Sequence, residues 1–155
     1  MIVLLISVGL GWSSDPKSPT FSAKNITFRQ DAGVSITANQ VRWDVKKKQA
    51  DLTGEVNVTQ DELSLSTQAL SIQLDEYSKI SSIVVTKPVV VVHKDQKAFA
   101  NSARWDLSKD ELKLEGDPKL VSAQGVFSGG VIFYLPSKEE IRCENGCSLS
   151  LQQPQ

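Results

Sequence analysis

The chain of 155 residues contains one histidine, one methionine and two cysteines. Two cysteines and one histidine fall short of a four-ligand zinc site unless carboxylates join them. A single histidine also leaves little room for imidazole acid–base catalysis. No G-x-S-x-G elbow, GK[ST] phosphate loop or H-E-x-x-H zinc motif is present. An excess of charge is missing as well: 17 Lys and Arg stand against 18 Asp and Glu, a net charge of −1. That is not the basic surface that binding to nucleic acid requires. What remains is an ordinary charged fraction of 23% and an apolar fraction of 40%, mostly aliphatic. The length suits one domain with a sizeable core. The chain therefore reads as a protein that is not an enzyme and uses no cofactor or metal.

The N-terminal run Met1–Leu10, MIVLLISVGL, is almost wholly apolar. As a helix its ten residues would span about 15 Å, half of the roughly 30 Å hydrocarbon core of a bilayer. It reads as the apolar part of an export signal, without a basic leader or a clear cleavage site, the alternative being a buried first strand. Residues 1–20 are set apart on this basis as signal or short apolar segment with linker, 21–150 as the domain and 151–155 as a tail. Cys143 and Cys147 flank Glu144-Asn145-Gly146. Asn-Gly is a hairpin signal, and in an exported protein so close a pair favours a disulfide; two thiols at a strand end is the other reading.

The sequence repeats itself. Residues 38–44 read ANQVRWD and residues 100–106 read ANSARWD, an offset of 62 without a gap. Halfway between lies ALSIQLD, residues 69–75. Ala38, Ala69 and Ala100 are thus in phase, as are Trp43, Leu74 and Trp105, and Asp44, Asp75 and Asp106. Leu52-Thr53-Gly54 and Leu114-Glu115-Gly116 continue the register. A fourth, shifted copy holds Phe127, Gly129, Ile132, Tyr134 and Cys143. Each 31-residue unit carries two period-two strand patterns, and the apolar phase slips by one after each of the three alanines, as a β-bulge or strand bend requires. No stretch after residue 20 shows a helical stripe. The chain is predicted to be all-β, with strands near 34–45, 51–59, 62–74, 80–92, 97–107, 111–122 and 125–135, stacked so that each unit covers its neighbour.

At ANQVRWD, LTGEVNVTQ (52–60), ANSARWD and LEGDPKL (114–120), the pattern resembles the OstA-like family, periplasmic lipopolysaccharide-transport proteins of the LptA and LptC type. FSGGVIFYLPSKEEIRCE, residues 127–144, resembles the closing repeat of the LptA branch. The middle unit departs from the pattern, with Leu74 for the aromatic residue and Val85 for the glycine. The resemblance implies a slotted, open β-jelly roll of two facing sheets whose apolar interior carries lipopolysaccharide from the inner to the outer membrane. It also implies edge-strand contacts with other roll-type proteins at each membrane, and head-to-tail contacts with itself. An inner-membrane-anchored LptC-like protein, or a structural β-repeat protein with a closed core, are the alternatives.

The lipid-binding slot is expected to be lined by Ile36, Val41, Trp43, Val56, Val58, Leu65, Ile72, Leu74, Val89, Val91, Trp105, Phe127, Ile132 and Tyr134. The competing reading of each is plain core. His93 reads as a surface residue at a strand end, Lys46-Lys47-Lys48 as a solvated turn, and Asp44, Asp75 and Asp106 as turn caps that bind backbone N–H groups.

Overall fold

The structure, a computed structural model, describes residues 2–6, 20–30 and 33–151. The chain begins with β1 (Ile2–Ile6) and four long strands: β2 (Thr20–Gln30), β3 (Val34–Asp44), β4 (Gln49–Gln60) and β5 (Leu63–Leu74). Five pairs of shorter strands follow: β6 (Ile80–Val85) and β7 (Val89–His93), β8 (Gln96–Ala100) and β9 (Ser102–Asp106), β10 (Glu111–Glu115) and β11 (Lys119–Val121), β12 (Gly125–Ser128) and β13 (Val131–Leu135), β14 (Glu140–Glu144) and β15 (Ser148–Leu151). Every pairing is antiparallel. The apolar run at the N-terminus contributes β1, which pairs with β2 from Ile2↔Gln30 to Ile6↔Ile26. The linker at residues 7–19 lies outside the described residues.

The long strands pass through two half-sheets, and the short pairs are such strands broken in the middle. The C-terminal end of β5 continues through β6, β9, β10 and β13 to β14. Its N-terminal end continues through β7, β8, β11 and β12 to β15. The result is an all-β roll of bent strands, with two facing half-sheets and the core between them.

The bends fall where the repeat predicts a phase slip. The β3–β4 register shifts between Thr37 and Gln40, and the β4–β5 register between Thr53 and Val56. At these bends a glycine lies beneath an asparagine. Gly54 has φ +80°, and a Cβ there would sit 2.8 Å from the Asn39 Cβ. Gly116, one double repeat later, has φ +74° and the same relation to Asn101, at 2.7 Å. The Leu-x-Gly motif is therefore a bend motif: the backbone is left-handed, and no side chain fits under the neighbouring strand. In the middle unit Leu70 and Val85 occupy the two equivalent positions, and both are buried. There Thr86-Lys87-Pro88 separate β6 from β7, because proline cannot continue the ladder.

The four predicted strands 80–92, 97–107, 111–122 and 125–135 are each interrupted. The breaks are 86–88, Asn101, Gly116-Asp117-Pro118 and Gly129-Gly130. Apolar residues continue on both sides of each break, and where the phase slips, as from Ala98 and Ala100 to Ala103 and Trp105, the slip signals a bend without showing that the chain passes into the other half-sheet. The repeated aspartates close the turns. Asp44 Oδ1 accepts from the Lys47 N–H at 3.0 Å, Asp75 Oδ1 from Tyr77 and Lys79 at 2.8 and 2.9 Å, and Asp106 Oδ1 from Ser108 and Lys109 at 3.1 and 3.2 Å. The Asp106 carboxyl is held below its ordinary range, first by the Ser108 hydroxyl, against a smaller opposing effect of burial.

Candidate functional site

The residues expected to line a slot converge on one interior. From the half-sheet that ends in β14 come Val41, Ile72, Leu74, Trp105, Ile132 and Tyr134, none more than 6% exposed. From the half that ends in β15 come Ile36, Val56, Val58, Leu65, Val89 and Val91, none more than 3% exposed. Trp43 and Phe127 are partly buried and pack on the rim of the same cluster. Trp43, Leu74 and Trp105, in phase in the repeat, therefore belong to one core.

Among the described residues this interior is closely packed. Between Val91, His93, Gln96, Lys97, Ala98, Leu112, Leu114, Leu120 and Tyr134 a gap of about 10 Å³ remains, room for no more than a single water. A larger hollow of about 460 Å³ is lined by Glu55, Val56, Asn57, Ser66, Thr67, Gln68, Pro88 and Val90 near the bends, with carboxylate, amide and hydroxyl groups on its wall. Among the described residues the buried polar side chains are Thr67, Ser82, His93 and Ser122. No group of three or more His, Cys, Asp or Glu among them is placed to hold a metal ion.

His93 departs from its expected place on the surface: it is 9% exposed and faces inward. The alternation of β7 carries the reason, since Val89, Val91 and His93 share one phase. The His93 Nδ1 is hydrogen-bonded to the Tyr134 hydroxyl, with ring centroids 5.6 Å apart and an edge-to-face tilt of 60°. Burial is the main cause that pushes the Tyr134 phenol up to about 12, and the carboxylates of Glu139, Asp110 and Asp95 add to it. The phenol therefore keeps its proton at neutral pH.

Beside this pair, Lys94 at the β7–β8 turn forms an ion pair with Glu139, and Glu62 lies 4.0 Å from the same ammonium. The hydrogen bond and the charge of Lys94 hold the Glu139 carboxyl below its ordinary value, and Glu139 holds Lys94 above its own. The depressed carboxylate contributes stability above its ordinary pKa of 4.5 and loses it as pH falls through the lowered one. The raised ammonium contributes below 10.5 and loses it as pH rises through the raised value. The pair is expected to persist across that whole window. An NMR titration of the Glu139 carboxyl checks this: a midpoint at or above 4.5 contradicts the pairing.

Cys143 and Cys147 are joined by a disulfide, with Cα atoms 5.9 Å apart. It spans the break between β14 and β15 and lies on Gly129, where an added Cβ would collide with the Cys143 sulfur. The closed loop is short, so the chain-entropy contribution is only about 2 kcal/mol. Reduction is expected to leave the roll folded and to speed amide exchange in Ser148–Leu151, with β3 and β4 unchanged. Uniform exchange before and after reduction would show that the bridge holds nothing.

β14 pairs only with β13, and β15 only with β12, so each closes its half-sheet with a free edge among the described strands. Leu149 and Leu151 on β15 are 50% and 68% exposed. No helix among the described residues is long and apolar enough to cross a membrane.

Residues 35–140 match the family described as LptA/(LptD N-terminal domain) LPS transport protein. The chain belongs to this family. The fold agrees with a crystal structure of LptH, described as the LptA homologous periplasmic component of the conserved lipopolysaccharide transport device from Pseudomonas aeruginosa. The two superpose with a TM-score of 0.69 at 17% identity, covering 77% of this chain and 95% of that one. A comparison with curated protein sequences finds no match. The family match spans the bend glycines Gly54 and Gly116 and all three turn-capping aspartates, so the features that shape the roll lie within it.

Proposed function

We propose that this protein is an LptA-like carrier in the periplasm, which takes the acyl chains of lipopolysaccharide between its two half-sheets and helps move the lipid from the inner to the outer membrane. The observation that carries this reading is the interior itself. It is one apolar cluster from Val34 to Tyr134, bounded by two half-sheets that the bends join along one side. Exposing an acyl chain to water costs about 0.8 kcal/mol per methylene, so a lipid with several chains needs such a surface to cross an aqueous compartment. In this reading the apolar residues expected to line the slot bind lipid when the half-sheets part.

In this reading residues 1–20 are an export signal and linker, 21–150 the carrier domain and 151–155 a tail. Loss of β1 with the signal would bare the outer edge of β2. That edge at one end, and β14 and β15 at the other, suit strand addition by other roll-type proteins or by a second copy of this chain. The membrane-anchored LptC-like alternative gains nothing from the matched family, whose description names LptA and LptD. The filled interior favours a second reading, a structural β-repeat with a sealed core. Binding separates the two. The purified protein is expected to bind intact lipopolysaccharide and not the same glycolipid stripped of its acyl chains. Equal affinity for both, or for neither, would refute the carrier reading.

A further inference from the structure

The bends join the half-sheets along one side, and along the other each half ends in its own turns. Residues 107–110 and 136–139 form turns of the half that ends in β14, and residues 94–95 a turn of the half that ends in β15. Polar side chains bridge the two halves here. His93 closes β7 in one half and is hydrogen-bonded to Tyr134 of β13 in the other. The next residue, Lys94, reaches Glu139, which follows the short 3₁₀ turn Pro136–Lys138. Directly behind these pairs is the gap of about 10 Å³ between the half-sheets.

We propose that the His93–Tyr134 and Lys94–Glu139 pairs form a latch across the mouth of the roll, and that the interior admits an acyl chain by parting there. The inference rests on the carrier reading and says where the filled core opens. A gap the size of one water holds no hydrocarbon chain, so entry requires the halves to separate. Behind the latch Val91, Ala98, Leu112, Leu114 and Leu120 give an aliphatic wall that suits a linear alkyl chain, and Gln96 and Lys97 lie on the same lining. The chemistry of the latch suits repeated opening. The ion pair has side chains 49% and 56% exposed, and pairs so exposed hold weakly in water. The His93 ring and the Tyr134 hydroxyl can each bind water when parted, whereas two apolar side chains meeting there would gain nothing from solvent. A polar pair at the rim of an apolar core therefore lowers the cost of opening at that place and not along the bends.

The test uses the full chain with Lys94→Glu, Tyr134→Phe, and the charge swap Lys94→Glu with Glu139→Lys. Amide exchange of residues 93–96 and 135–140 reads the latch without lipid. Lys94→Glu and Tyr134→Phe are expected to speed it about tenfold while β3 and β4 stay unchanged, and the swap to restore it. Uptake of a fluorescent fatty acid and of labelled lipopolysaccharide reads entry. Lys94→Glu is expected to raise the uptake rate severalfold, and the swap to return it to that of the parent. Unchanged exchange in both single variants would show that the pairs hold nothing. Faster exchange with unchanged uptake would show that lipid enters elsewhere. Failure of the parent protein to bind either amphiphile would instead overturn the carrier reading, and the acyl-chain entry with it, while the exchange data still report whether the pairs join the half-sheets.

Discussion

Trp105→Ala is expected to destabilise the roll by about 3–5 kcal/mol, the range for deleting a large buried aromatic side chain. Trp105 is fully buried and sits between Ile83 on β6 and Leu112 on β10 in the strand register. For a chain of this length the loss amounts to a fall in Tm of roughly 6–20 °C. Trp105→Phe should cost far less. Its ring fills most of the space, and it removes an indole Nε1 that finds no hydrogen-bond partner in the core. A buried donor without a partner carries a penalty of about 1–3 kcal/mol, which offsets part of the lost contact. Thermal or urea unfolding of both variants checks this. Similar losses for Phe and Ala would mean that the indole is satisfied and its shape is required.

The second large effect concerns assembly. If copies of the roll join by adding strands at their ends, Leu149→Lys with Leu151→Lys should weaken self-association at least tenfold, about 1.4 kcal/mol. Both leucines are exposed on the free edge strand β15, and lysine on an edge strand opposes pairing with another chain. The fold should be unaffected, because neither residue belongs to the core. A contact of this kind joins unlike ends, so it extends without closing. Sedimentation or light scattering over a wide concentration range gives the answer. Association that ignores both lysines would move the contact away from β15, and a parent protein that stays a monomer throughout would remove the self-assembled bridge.

The 31-residue repeat made most of the fold legible, since it fixed the strand phase, the shared interior and the turns closed by Asp44, Asp75 and Asp106. It also showed that Leu74 stands in for tryptophan at one position. Each bent strand, however, reads in sequence as one extended run, because the apolar alternation resumes after the one-residue slip at the bend. Asn39 over Gly54 and Asn101 over Gly116 mark the bends, but only the third dimension shows that each asparagine lies on its glycine. His93 was legible in principle: its phase with Val89 and Val91 outweighs its polarity. Its partner Tyr134 is 41 residues away in the opposite half-sheet, a pairing that local pattern cannot supply. The sequence likewise draws no distinction between a slot that stands open and one that is filled, because the same apolar residues line both.

In the carrier reading, acyl chains lie between the two half-sheets. Photo-crosslinking side chains placed one at a time at Ile36, Ile72, Phe127, Lys47 and Lys109 test it most directly, with lipopolysaccharide as the ligand. Ile36 and Ile72 are buried in opposite half-sheets and Phe127 lies at the rim, whereas Lys47 and Lys109 are exposed on turns. Strong labelling of the lipid is expected from the first three positions and little from the two turns. Equal labelling from all five would mean adsorption to the outer surface and would contradict that reading.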